Sequence, residues 1–262
     1  MATVTKSIAA EGALDALPTE PPARHAGAYT IVAPIAAGGG GTVWLARDER
    51  SGNPPRMVAV KFLHPDIASA PASRRRFLRE AEFAASIHHP NVVEVVEVGE
   101  ASGHPYLVMP FVAGTTVRQL LRRGQLPIDA VLAMVSDALR GLTAAHELRG
   151  ADGAPLELVH RDISPHNLLV AIDGTTKLTD FGIARPALDA GVSTTRWAQG
   201  KVSYFSPEQG RGEPLDRRSD LFAMGIILWE CLTGRSLFRA DDPFVVAHRV
   251  QTMRVPAPST VR

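Results

Sequence analysis

The sequence predicts an α+β fold of two lobes, a small β-rich half followed by a larger helical half. Three observations carry the prediction. Short β-prone runs separated by Gly and Pro clusters fill residues 28 to about 98. Helical patterns dominate beyond Gly114. One of them, the run from Leu221 to Leu232, is apolar nearly all round, as befits a helix buried in a core. We place the boundary near Pro110 to Gly114, which gives a leader at 1–27, a first lobe at 28–110 and a second at 111–262.

Each element has its own signal. Residues 1–27 are rich in Ala, Pro and Thr with no sustained period, the composition of a flexible leader. YTIVAPI, TVWLA and MVAVKFL then read as strands. ASRRRFLREAEFAASI spaces Phe77, Leu78, Ala81 and Ala84 as a helix does. NVVEVVEVGE and HPYLVMPFV read as two further strands. TTVRQLLRR, IDAVLAMVSDALRGLTAAHELR and RRSDLFAMGIILWECLTG read as helices, and RGADGAPLE as a surface turn. No internal repeat is present.

Bulk properties exclude several classes of function. With 28 basic and 27 acidic side chains the formal charge is +1, which argues against a basic surface large enough for nucleic acid. Arg74–Arg75–Arg76 is the densest basic run and reads as a solvated helix face. The one cysteine, Cys231, cannot form an internal disulfide and fits a reducing compartment; its apolar surroundings suit a buried small hydrophobe. No run reaches the ~18 apolar residues of a membrane span. The N-terminus lacks the basic-then-apolar order of a secretory signal, so the expected location is the cytoplasm.

Chemistry concentrates in five motifs. IAAGGGGTVW lies between two predicted strands; alone its glycines fit a plain hairpin as well as a phosphate cradle. VAVK ends an apolar strand on the charge of Lys61, ordinarily a solvent-facing position. HRDISPHN places Asp162 five residues before Asn167, and a short strand, KLT, leads into Asp180-Phe181-Gly182. SYFSPEQG precedes the long apolar helix.

Order and spacing of these motifs from Tyr29 to about Val250 resemble bacterial serine/threonine protein kinases of the eukaryotic-like (Hanks) type. The resemblance implies Mg-ATP as cofactor and transfer of its γ-phosphate to Ser/Thr hydroxyls of protein substrates, this chain included. The implied glycine-loop positions are Ala36 (where the family carries glycine), Gly38, Gly41 and Val43. Lys61 would meet the α- and β-phosphates and pair with Glu80 of the RFLREAE helix. Val112 would meet the adenine by its backbone, between Ala59 and Leu169. Asp162 would be the base, Asn167 and Asp180 the magnesium ligands, and Asp220 the tie back to the catalytic loop. Ser193, Thr194 and Thr195 are implied phosphorylation sites whose phosphate would pair with Arg161.

One departure concerns a charge. The family usually carries lysine two residues after the base and threonine after the glycine of Gln199-Gly200; here Ser164 and Lys201 stand at those positions. Since the two are neighbours in the family fold, the ammonium and the hydroxyl are expected to have changed places. The competing reading is a catalytically silent kinase-like interaction module. The other departure is length. The family's second lobe continues with further helices and an arginine that pairs with the position of Glu208, so Glu208 is expected to lack a partner. Either the chain is a fragment of a longer protein or a partner covers the incomplete lobe; a homodimer for autophosphorylation is a further expected partner.

Overall fold

The computed structural model describes residues 17–38, 40–64, 71–181 and 201–262, the side chains at 71–73, 76, 79, 80 and 201 excepted. These form two compact units: 17–89 with 93–114, and 90–92 with 115–181 and 201–262.

In the first unit, β1 (His25–Ala26), β2 (Tyr29–Gly38), β3 (Gly41–Asp48), β4 (Arg56–Leu63), β5 (Glu97–Ala101) and β6 (His104–Pro110) build one sheet in the order β1-β2-β3-β4-β6-β5. Its strands pair antiparallel. Strand side chains alternate between faces. Trp44, Ala46, Val58, Val60, Phe62, Tyr106 and Val108 therefore share one face, where they pack with Ala26 and Tyr29 as a core. Phe62 and Tyr106 meet edge to face with centroids 5.9 Å apart, a favourable aromatic geometry. Trp44 is thus a packing residue, 2% exposed. Helix α1 (Pro71–Ala85) buries Phe77, Ala81 and Ala84, the apolar spacing noted above.

The second unit holds β7 (Gly114–Thr116), α2 (Val117–Arg123), α3 (Ile128–His146), β8 (Leu168–Ala171), β9 (Thr176–Leu178), a 3-10 turn (Lys201–Tyr204), α4 (Pro207–Arg211), α5 (Arg217–Thr233) and α6 (Pro243–Thr252). Strands β7, β8 and β9 form a small sheet. Helix α5 starts at Asp216, whose carboxylate accepts the Arg218 N–H, and stops at Gly234 in the left-handed region (φ +69°). Its all-round apolar character is explained by burial of Ala223, Met224, Ile226, Ile227, Trp229 and Cys231. Burial pushes the Cys231 thiol up to about 12, which keeps it protonated and inert.

Three local expectations are corrected. Residues 91–96 are not a regular strand, although Val92, Val93 and Val95 are buried. Asn91 instead gives its Nδ2–H to the Thr176 carbonyl and accepts the Leu178 N–H, so its hydrogen bonds go to β9. TTVRQLLRR turns helical only at Val117, because Thr116 is the N-cap, its hydroxyl accepting the Gln119 N–H at 3.1 Å. Within the expected leader, residues 1–16 lie outside the described residues, while His25 and Ala26 pair with Thr30 and Tyr29.

Candidate active site

In the first unit, register decides which residues face together. Lys61 lies opposite Val43 on β3 and Leu107 on β6, and Ala59 opposite Leu45 and Met109. Ala36 in turn lies opposite Val43. Ala36, Val43, Ala59 and Lys61 therefore occupy the sheet face opposite the Trp44–Phe62 core. Lys61 is 8% exposed, against the ordinary solvent-facing habit of a strand-end lysine. Gly38 pairs with Gly41 where β2 and β3 meet. Gly41 has φ +142°, and a Cβ there would collide with the Phe62 carbonyl oxygen, so only glycine fits. The Glu80 side chain lies outside the described residues, and the Lys61–Glu80 pairing with it. Val112 follows β6 and is half-buried.

The second unit arranges its candidate residues around a buried carboxylate. Asp220, on the first turn of α5, is 1% exposed. Oδ2 accepts the His160 N–H and His146 Nε2, and Oδ1 accepts the Arg161 N–H, all at 2.8 Å. Three donors offset the cost of burying the charge. The bonds also hold Arg161 in the left-handed region (φ +64°), a conformation that costs a non-glycine residue about 1–3 kcal/mol. Asp180 is held there too (φ +60°). Backbone strain thus sits beside one carboxylate and on another of the predicted set.

His160 links both segments. Its Nδ1 lies 3.3 Å from the Asp162 N–H, which can only donate, so Nδ1 carries the lone pair. Nε2 then carries the proton and gives it to the Thr179 carbonyl at 3.1 Å, one residue before Asp180. Burial holds the His160 pKa below its ordinary value and keeps this tautomer neutral. Phe181 stacks tilted on the imidazole, centroids 4.5 Å apart. On the other side, Asn167 donates Nδ2–H to the Asp162 carbonyl at 2.7 Å and accepts the Thr179 N–H. With Nδ2 so committed, Oδ1 is the Asn167 atom left for a cation. An amide oxygen and the Asp180 carboxylate are hard donors of the kind magnesium takes. Leu169 lies on β8 opposite Lys177, on the face away from buried Leu168.

Ser164 is 1% exposed, and its hydroxyl has no hydrogen-bond partner among the described residues. Lys201 opens the 3-10 turn, its side chain lying outside them. Ser193, Thr194 and Thr195 lie outside them as well. Glu208, expected to lack a partner, accepts the Ser219 hydroxyl at 2.5 Å. Burial acts to raise its pKa, but this bond and its neighbours outweigh that and leave it lowered. Two contributors escaped sequence reasoning. One is His146, an unremarkable helix-end histidine in sequence. The other is Gln209, which S-x-x-Q spacing marks as a helix cap but not as a neighbour of the loop.

The protein kinase domain family matches residues 29–259. A probable serine/threonine-protein kinase of Streptomyces coelicolor, SCO3848, is 40% identical over 248 residues, 92% of this chain and 35% of that protein. PknB of Mycobacterium tuberculosis, a serine/threonine-protein kinase, is 37% identical over 89% of this chain and 37% of its own length. MasK of Myxococcus xanthus, a tyrosine-protein kinase by name, is 37% identical over 90% and 37%. The chain thus spans about a third of the length of these curated relatives. Among solved structures, the Mycobacterium tuberculosis PknI kinase domain matches with a TM-score of 0.66 at 28% identity, covering 90% of this chain and 82% of that one.

Proposed function

The chain belongs to the protein kinase family, and from that membership we propose that it transfers the γ-phosphate of Mg-ATP to serine and threonine hydroxyls of protein substrates, itself among them. The observation that carries the reading is the hold on Asp162. Its N–H goes to His160, its carbonyl to Asn167, and the preceding N–H to buried Asp220. A base fixed from both sides suits a reaction whose catalysis is mostly positioning and charge stabilisation.

Asp162 takes or orients the hydroxyl proton. Lys61 meets the α- and β-phosphates, and the Gly38 and Gly41 amides approach phosphate oxygens. Ala59 and Leu169 flank the adenine, with the Val112 backbone at its edge. Asn167 and Asp180 would hold magnesium, which when bound would supply charge neutralisation to the transferring phosphates. Lys201 supplies the γ-phosphate cation in place of the lysine that Ser164 replaces. The Ser164 hydroxyl, buried and without a partner among the described residues, supports that exchange, since such a hydroxyl needs a partner and an ammonium would satisfy it. A phosphate on Ser193, Thr194 or Thr195 would pair with Arg161. Among the described residues no helix is long and apolar enough to cross a membrane. The lone, buried Cys231 supports a reducing, cytoplasmic setting. Autophosphorylation would bring two copies together.

The test is phosphate incorporation from Mg-ATP, read by intact mass on the parent, Asp162→Asn and Lys201→Ala. The parent gains phosphate, Asp162→Asn does not, and Lys201→Ala slows by about 10²–10³, the scale of one electrostatic contact. A Lys201→Ala loss below about threefold ends the exchange of places. A parent that stays folded and unmodified, with added protein substrate likewise untouched, favours the silent interaction module.

A further inference from the structure

Gln209 lies on α4, and its carboxamide is fixed at both ends. Oε1 accepts the Ser206 N–H at 3.0 Å, within the cap of that helix. Nε2 donates to the Arg161 carbonyl at 3.0 Å. The orientation is unambiguous, because a backbone N–H can only donate and a carbonyl only accept. The side chain is 8% exposed, too buried for solvent to take over either bond. The Arg161 carbonyl belongs to the peptide unit that joins Arg161 to Asp162. Asp220 grips the N–H of Arg161, so Gln209 and Asp220 hold the two ends of one residue in the left-handed region. Arg161, Asp162, Gln209 and Asp220 also line one small cavity.

We propose that Gln209 is a positioning residue for phosphoryl transfer, setting the peptide plane from which Asp162 projects. The proposal rests on the kinase reading, in which Asp162 is the base. It assigns the S-P-E-Q segment a part in aligning that base, besides capping its own helix. Nothing about the nucleotide depends on Gln209, so its loss reduces turnover and leaves ATP binding in place.

Gln209→Glu separates this role from a structural one. The carboxylate still accepts the Ser206 N–H but presents an oxygen to the Arg161 carbonyl. When protonated it regains a donor and with it the bond. Turnover of Gln209→Glu at pH 8 falls by about 10²-fold, the scale of a small misplacement of a catalytic group, with KM for ATP within about twofold. Relative to the parent, the deficit shrinks as pH falls toward 5.5. Gln209→Met, unable to regain a donor, shows a deficit independent of pH. A variant within about twofold of parental turnover at pH 8, or a Glu deficit that does not shrink on acidification, overturns the proposal. Amide hydrogen exchange over 158–165 reads the same hold without catalysis. It rises by about tenfold in both variants, as the loss of one buried hydrogen bond allows, while α3 and α5 keep their protection. Unchanged exchange there overturns the proposal even in a silent parent, whereas a silent parent with raised exchange in the variants counts against the kinase reading alone.

Discussion

The His160 imidazole accepts the Asp162 N–H at Nδ1 and donates to Thr179 at Nε2, so an added proton must break the first bond. Its pKa lies below the ordinary 6.5, chiefly through burial. Above 6.5 both folded and unfolded chains carry a neutral imidazole, and its contribution to stability is complete. As pH falls through 6.5 toward the lower folded value, the unfolded chain takes up a proton that the native one refuses, so stability declines. The slope owed to this residue is at most about 1.4 kcal/mol per pH unit. Melting midpoints between pH 7.5 and 5.5 will show it as the difference between the parent and His160→Asn, which cannot titrate. An identical pH dependence in the two proteins counts against the buried, neutral imidazole. Asp162, Asn167 and Asp180 were legible at this scale because motif spacing names them. His146 and Gln209 were not, since their partners are 74 and 48 residues away in the chain and no local pattern announces them.

At the scale of elements, α3 meets the segment around Asn91 through a glycine. A Cβ on Gly141 would stand 2.6 Å from the Asn91 carbonyl oxygen and 3.0 Å from Leu178 Cδ1. Gly→Ala inside a helix ordinarily gains up to about 1 kcal/mol. Here the collision is with backbone that is itself bonded to β9, so the sign reverses. Gly141→Ala loses about 1–3 kcal/mol, seen as a melting midpoint several degrees lower. A raised midpoint would mean that the helix retreats at no cost. β-prone runs between Gly and Pro clusters found β2, β3, β4 and β6, helical spacing found α1, and long helical or all-round apolar patterns found α3 and α5. Such patterning overran at 91–96, where β-branched residues are buried without a ladder to join. It also overran at Thr115 and Thr116, where a cap reads as the first turn of its helix. The five residues of α4 are too few to show a period at all.

For the whole molecule, charge is the property the sequence states directly. The formal charge of +1 at pH 7 and an isoelectric point near 8.0 leave little mutual repulsion between copies in mildly alkaline solution. Solubility in a precipitant titration is therefore lowest near pH 8.0 and rises on either side. A minimum displaced by more than about a pH unit would mean that the folded chain's charge departs from the formal count. The chain spans about a third of the length of its curated relatives, and residues 29–259 of it match the protein kinase domain family. The segment that leads into Asp162 hangs from Asp220 by the main-chain N–H groups of residues 160 and 161. Every amino acid except proline has such a group. That anchorage does not rest on the Arg161 side chain, whereas His160 is also fixed through its buried imidazole, so of the two positions it is 161 that can be recoded for new regulation while the main-chain hold stays.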